Sequence, residues 1–552
     1  MVDKIKLWAA LHPYRALVFI TLAALAPFLA KPFNMDDPLF VWSACQIHAH
    51  PADPYGFALN WYGFTQPMYD VTENPPLNCY YLALAGLFWG WSEVSLHCAE
   101  LLPAILAVLG TYRLAKNFCQ WPFFAALATL FAPGFWISSA TVMCDVPMLA
   151  FWVWAVVFWV EGLKQNISWK LFAAGVLAAL ALLTKYYGIC LLPLLLVYGW
   201  LKRRRPGRWM TPLLIPLAVL GSYEWLTKRA YGHPLFFTAA NYASHTHGFH
   251  GLSMMVPTVI GLSFAGGCFA GALFLSPLLW RARVLIWFGI GAVLAGLAAH
   301  AGGMMTRYAW LTGGAGRNVE IQVVVWAAVG IGVLALAAVN LWKKHDAGSW
   351  LLALWVAGTF LFATAINWTI NGRSMLPMIP ALAILMTLRL EQWAPKPIKY
   401  AAGLLAIGAV FSFLTVQSEF LSATGMRQNV ERVMKQYAAS SETIWFKAHW
   451  GFQYYIQLAG ATAFDSSVPR LKAGDLLVIP EKSTNAAVPD GARKTLLDVF
   501  EAPVASWVSV YNPGVGASFY ASVGGPLALA LGPAPPETVF VYRVTSVFSS
   551  HH

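Results

Sequence analysis

Thirteen apolar segments dominate this chain, at 14–31, 95–115, 121–141, 145–162, 170–185, 186–201, 209–227, 254–279, 284–302, 320–342, 349–370, 373–389 and 399–417. Each is close to the roughly 20 residues a helix needs to cross a hydrocarbon core. In lipid every backbone N–H and C=O must be satisfied within its own segment, so a chain patterned this way is confined to helices. The expected fold is an all-α polytopic membrane domain of about 13 transmembrane helices over residues 1–417, followed by a C-terminal soluble α/β domain over 418–552. Composition agrees: 11% of the 552 residues are charged, where a soluble globule carries roughly a quarter. The tail reads as a helix near 422–438, strands in ETIWFKA, DLLVIP and ETVFVYRV, a helix at GFQYYIQLAG and a β-rich stretch around SWVSVYN.

A further apolar stretch, Pro76 to Trp91, is short, starts after Pro-Pro and is rich in Tyr and Trp. It reads as a helix lying in the interface within a first external loop, 31–94. Counting it as a span would turn the basic cluster KRRRPGR at 202–208 outward, against the positive-inside rule. With thirteen crossings and the N-terminus inside, 19 Lys and Arg fall on the cytoplasmic side and seven on or near the other face. The net charge of +12 therefore orients the protein in a bilayer and does not point to nucleic acid. The first span ends without the small-residue pattern of a cleavage site and reads as a retained anchor. Seven cysteines show no CxxC or Cys/His spacing. No disulfide framework is expected, with Cys45 and Cys79 as the one pair placed to bond.

Ionisable residues at span ends are costly and so are functional candidates. Asp36 and Asp37 follow the first span in NMDDPLF. Asp before Pro suits a helix N-cap, a role expected of Asp37, which leaves Asp36 to take a proton from an attacking hydroxyl. Asp145, in CDVPML, also suits a cap facing the same region. Glu73 and Asn74 precede Pro75-Pro76 and close the first loop. The loop 228–253 holds His233, His245, His247 and His250; Glu73, His245 and His247 would suit a divalent metal ion, although no diagnostic zinc spacing is present. Lys185, Arg373, Arg307 and Arg317 are the outward cations expected to meet an anionic group such as a lipid phosphate, with Lys185 and Arg373 foremost because each sits in a tight turn between spans. In the tail, HWGFQYY carries aromatics suited to stacking on sugar.

These pieces resemble the GT-C class of integral-membrane glycosyltransferases, and within it the protein O-mannosyltransferase and lipid A aminoarabinose transferase branch. The matching segments run in order: NMDDPLF, ENPPLNCYYLALAGLFWG, SEVSLHCAELLPAILAVLGTYRLAKNF, CDVPMLAFW, LLTKYYG and NGRSMLPMIPALAIL, over roughly residues 10 to 390. The resemblance implies inverting transfer of a sugar from a polyprenyl-phosphate-linked donor to an acceptor hydroxyl of a glycan, lipid or protein outside the cytoplasm. Asp36 would be the base, Glu73 and His245 metal or phosphate-site residues, and Lys185 and Arg373 phosphate contacts. Asn74 stands where the aminoarabinose transferases have Lys, and the Arg that follows their loop histidine is missing near Gly248; both departures bear on the donor. The implied setting is a bacterial cytoplasmic membrane with the C-terminal domain in the periplasm. A non-catalytic lipid or glycan transporter is the competing reading, although its ionisable groups would sit at mid-membrane depth rather than at one edge.

Overall fold

The computed structural model describes residues 11–72, 74–245, 253–393, 398–439, 442–468, 470–483 and 492–547. Among these, seven helices are long and apolar enough to cross a membrane: Glu93–Ala115, Asp145–Gln165, Ala282–Ala301, Gly313–Lys344, Ala347–Ile366, Gly372–Gln392 and Ile398–Tyr437. Counting two bent pairs as single spans raises the number to nine, not the thirteen expected. The expected span at 121–141 breaks into Pro122–Leu130 and Pro133–Ser139, bent by 61°, because Pro133 has no N–H to give and its ring clashes with the turn before it. The segment 254–279 bends by 91° between Met255–Cys268 and Gly271–Leu279. Pro13–Phe28 and Ser168–Thr184 are shorter apolar helices. The segments at 186–201 and 209–227 open with tight 3-10 turns, Tyr186–Cys190 and Arg208–Leu213, that shorten the helices after them.

The two ends of the bundle differ in chemistry. Glu161 binds both Arg113 and Lys170 at 2.7 Å, Arg203 reaches Asn166 at 2.8 Å, and Lys164 reaches Asn117 at 3.0 Å. This is the end where the sequence concentrates basic residues. At the opposite end of the helix Glu93–Ala115, Glu93 binds Arg427 at 3.0 Å and accepts from the Tyr455 hydroxyl at 2.8 Å. Tyr455 also accepts from the Phe33 N–H at 2.8 Å, so the exit of the first helix and the C-terminal segment meet there.

Helix Leu77–Trp89 stops at Gly90, whose φ of +82° an L side chain rarely adopts. It packs on Asp37–Ala49 within the first loop. A small separate core under that loop joins Leu39, Tyr55, Leu59, Trp61, Met68 and Val71 with Leu235. The ribbon of Ala58–Asn60 and Thr65–Pro67 then ties to the tail: Asn60 donates to Phe464 O at 3.0 Å, and Gln453 donates to Asn60 O at 2.7 Å.

The tail builds a five-stranded sheet in the order Thr462–Ala463, Ile444–Phe446, Leu476–Pro480, Glu537–Val547 and Ala492–Ala502. The first three strands are parallel, with Ile444 opposite Leu476. A parallel pair needs a crossover, and Trp450–Leu458 supplies it between Ile444–Phe446 and Thr462–Ala463. The last two pairings are antiparallel, Val541 facing Val478 on one side and Asp498 on the other. The strands in ETIWFKA, DLLVIP and ETVFVYRV and the helix at GFQYYIQLAG fall where the sequence places them, whereas Thr462–Ala463 and Ala492–Ala502 lie outside the expected strands and SWVSVYN forms only the short pieces Val508–Ser509 and Tyr511–Asn512.

The soluble and membrane parts are interlocked. The expected boundary at 417 lies inside the unbroken helix Ile398–Tyr437. Residues 503–536 leave the sheet and run over the bundle: Gly372 N–H donates to Phe519 O at 2.7 Å, Tyr308 donates to Ser522 O at 2.6 Å, and Gln322 holds Leu531 through both its amide groups at 3.0 and 2.6 Å. Beneath this excursion Lys31, fully buried, donates to Glu419 and to Ala140 O at 2.8 Å each, and Tyr520 donates to the same Glu419 carboxylate. Removing one member of a buried pair strands the other charge, at a cost of about 3–5 kcal/mol. Lys31→Met is therefore expected to lower the melting temperature of the detergent-solubilised protein strongly, and the double variant Lys31→Met, Glu419→Leu to recover most of the loss in the same thermal scan.

Candidate active site

The acidic pair is aimed by a strained turn. Met35 has φ +48°, a left-handed conformation that costs an L residue about 1–2 kcal/mol. Its buried side chain and the bonds of its neighbours hold it there. The Asp37 carboxylate accepts from Asn34 N–H at 2.9 Å and from Val142 N–H at 3.0 Å. Asp37 therefore does not cap its own helix, as the sequence suggested; it clamps the first loop to the turn before Asp145–Gln165. Lys31 and the two N–H donors favour its charged form, but burial outweighs them and lifts it to about 7. The reversed turn sends Asp36 the other way, into a cavity of about 1850 Å³.

Arg373 meets it there. In NGRSM, Asn371 is the N-cap, accepting from Ser374 N–H at 2.7 Å. Gly372 is needed because a Cβ would lie 2.1 Å from the Phe519 ring. The following Arg373 projects its Nη1 to Asp36 at 2.8 Å and to Met143 Sδ at 3.2 Å, with its guanidinium over the Tyr520 ring. No further partner holds the guanidinium among the described residues; its Nε is buried and unpaired.

The second cation arrives from another turn. Ser168–Thr184 ends at Lys185, and Gly188 packs so tightly that a Cβ would sit 2.4 Å from Leu182 N. Lys185 Nζ binds Asp145 at 2.6 Å, so Asp145 pairs instead of capping, and its second oxygen is buried without a partner. Tyr187 stitches the two cation turns together by reaching both Thr359 O and Ser374 O at 3.2 Å. The cavity is lined by Asp36, Asn74, Lys185 and Arg373 from the membrane part, and by His449, Trp450, Lys482 and Tyr520 from the tail.

The other candidates lie elsewhere. Arg307 stands against Tyr308 and Arg317 is exposed near the start of Gly313–Lys344, neither among the cavity-lining residues. Glu73 and His247 fall outside the described residues. His245 is exposed at the end of Leu235–His245. Among the described residues no group of three or more His, Cys, Asp or Glu could hold a metal ion, and of the expected metal set only His245 is among them. Cys45 and Cys79 are both free, the first exposed and the second buried.

The chain has likenesses to known proteins in part of its sequence and in its fold. Residues 73–221 match the family model described as dolichyl-phosphate-mannose-protein mannosyltransferase. Among solved structures the chain is similar to ArnT from Cupriavidus metallidurans in the apo state, at 16% identity over 85% of this chain and 93% of that one with a TM-score of 0.44. It is likewise similar to the same enzyme bound to undecaprenyl phosphate, at 16% identity, 86% and 93% coverage and a TM-score of 0.43. A third likeness is to the archaeal oligosaccharyltransferase AglB from Archaeoglobus fulgidus in complex with an inhibitory peptide and a dolichol-phosphate, at 13% identity over 85% of this chain and 65% of that one, TM-score 0.46. No curated protein matches the sequence.

The matched segment includes Asp145 and Lys185 but neither Asp36 nor Arg373, which reach the cavity from either side of it. The sequence marks HWGFQYY as suited to sugar without placing His449 and Trp450 at this cavity, and it gives no sign of Lys482 or Tyr520. His449 is buried; its ring Nδ1–H and backbone N–H both donate to Ser483 O, at 3.1 and 3.0 Å. Burial pushes it down to about 4 against the pull of Asp36, so the ring is neutral at physiological pH. Asp36 and Asp37 differ sharply in structural weight. Loss of the Asp37 acceptors leaves two N–H groups unpaired in the interior, so Asp37→Ala is expected to cost about 2 kcal/mol or more. Asp36→Asn keeps a side-chain oxygen that can accept from Arg373 Nη1 and should cost less than Asp37→Ala. Equilibrium or thermal unfolding of the two variants side by side measures the difference.

Proposed function

We propose that this protein transfers a sugar from a polyprenyl-phosphate-linked donor to an acceptor hydroxyl at the extracytoplasmic membrane boundary, with inversion and with Asp36 as general base. The observation that supports the reading most is the convergence of Asp36, Arg373 and Lys185, from three turns far apart in the chain, on one large cavity at the end of the bundle opposite the Lys/Arg-rich end. Tyr186, Tyr187, Phe236, Phe362 and Ile366 make a largely apolar wall among the membrane helices, suited to the lipid portion of the donor.

In the reaction the acceptor oxygen forms a bond to the anomeric carbon while the bond from that carbon to the phosphate oxygen breaks. The electron pair leaves with the polyprenyl phosphate, and the acceptor proton passes to Asp36. Negative charge grows on the leaving phosphate, where Arg373 can offer its unengaged N–H groups and Lys185 a point charge. The pairs Asp36–Arg373 and Asp145–Lys185 hold these groups before the donor arrives. A phosphate that draws Arg373 toward itself also loosens its hold on Asp36, and an unpaired carboxylate is the better base.

The test uses membranes or purified protein supplied with a polyprenyl-phosphate-sugar lipid extract, with free polyprenyl phosphate read by mass analysis. Asp36→Asn is expected to lower turnover by about 10²–10⁴-fold while retaining binding of undecaprenyl phosphate. Arg373→Ala and Lys185→Ala should lose that binding. Unchanged turnover in Asp36→Asn would sink the assignment of the base, and lipid movement without sugar transfer would favour a transporter.

A further inference from the structure

The wall of the cavity facing the membrane helices is largely apolar, whereas the wall supplied by the tail and first loop is aromatic and polar. Trp450 is part of it. Its indole lies edge-on to Tyr511, with centroids 5.1 Å apart, and 4.0 Å from the His449 ring, which in turn meets Trp61 at 5.6 Å. All four line the cavity together with Glu481 and Lys482.

Trp450 is held there at a conformational cost. Its φ is +63°, a region that a bulky aromatic rarely enters and that persists only where surrounding structure over-determines it. The neighbouring Gly451 provides the reason: a Cβ there would lie 2.1 Å from Phe33 O and 3.1 Å from Asn34 Cα. The crossover helix Trp450–Leu458 is thus pressed against the turn that carries Asp36, and Tyr455 bonds to Phe33 on the same face. Indole and carboxylate are registered to one another through two residues of backbone. His449 adds a fixed hydrogen-bonding direction. With Nδ1–H committed to Ser483 O, its Nε2 keeps a lone pair that can accept from a hydroxyl.

We infer that this wall is the acceptor subsite and that the acceptor is a carbohydrate, its ring stacked on Trp450 with a hydroxyl directed to His449; the inference rests on the glycosyl-transfer reading above and names its second substrate. A sugar ring presents an apolar C–H face beside hydroxyls that must be paired, and an aromatic plate bordered by imidazole, carboxylate and ammonium groups answers both needs. A Ser or Thr side chain offers no such face. An acyl chain would waste the polar groups.

The experiment measures binding without turnover. Purified full-length protein is titrated with methyl glycosides and disaccharides of the common hexoses and N-acetylhexosamines, and with a Ser/Thr-rich peptide, by saturation-transfer NMR. Undecaprenyl phosphate binding is followed in parallel. Trp450→Asn removes the ring while suiting the left-handed backbone, and Trp450→Phe retains a smaller plate. We expect at least one saccharide to bind, Trp450→Asn to weaken it about tenfold, Trp450→Phe to weaken it less, and undecaprenyl phosphate to bind all three proteins alike. Peptide binding with no saccharide binding, or saccharide binding indifferent to Trp450→Asn in a protein that still melts cooperatively, overturns the inference while leaving the donor reading in place. Saccharide binding that depends on Trp450 in a protein that does not take up undecaprenyl phosphate would overturn the transfer reading and keep the subsite.

Discussion

The buried ion pair between Lys31 and Glu419 is the constraint on which the cavity depends. It joins the exit of the first helix to the long helix that leaves the bundle, with Ala140 O as a third partner. Such a pair is expensive to desolvate and specifies geometry more than it adds stability. Its geometric effect spreads through Tyr520, which donates to Glu419 and lies beneath the Arg373 guanidinium. The position of this cation at the cavity is therefore set partly by a residue 147 positions further along the chain.

Within that frame, neighbouring residues divide the labour. Asp37 is spent on two backbone N–H groups and closes the interior, while Asp36, sent the opposite way by the left-handed Met35, faces the cavity. Two adjacent carboxylates thus meet opposite environments, one dry and one open to the cavity. Arg373 and Lys185 come already neutralised by Asp36 and Asp145. An anionic ligand entering the cavity competes with carboxylates for these cations instead of finding a bare positive cluster, which discourages the retention of stray anions.

Much of this was legible in the sequence because it is written locally. Asp36, Lys185 and Arg373 each occupy a turn beside an apolar segment, and apolar segments are easy to find. The span count was not legible: the segments at 14–31 and 170–185 form shorter apolar helices, and those at 186–201 and 209–227 open with 3-10 turns, which hydropathy rates as highly as a helix. The caps assigned to Asp37 and Asp145 were misread for a related reason, since capping is inferred from neighbours in sequence, whereas Asp37 bonds to Val142, 105 residues away, and Asp145 to Lys185, 40 away. His449, Trp450 and Tyr520 reach the cavity only because a parallel crossover and the 503–536 excursion carry them there. Their aromatic composition was visible; their destination was not.

The unbroken Ile398–Tyr437 helix begins among the membrane helices and ends under the sheet of the tail, passing Glu419 midway. A continuous helix transmits twist and tilt along its axis and has no hinge to absorb them. The same strut carries Glu419, which holds Tyr520 beneath Arg373, and packs on the crossover helix that carries Trp450, so one rigid element sets the spacing of both cavity walls.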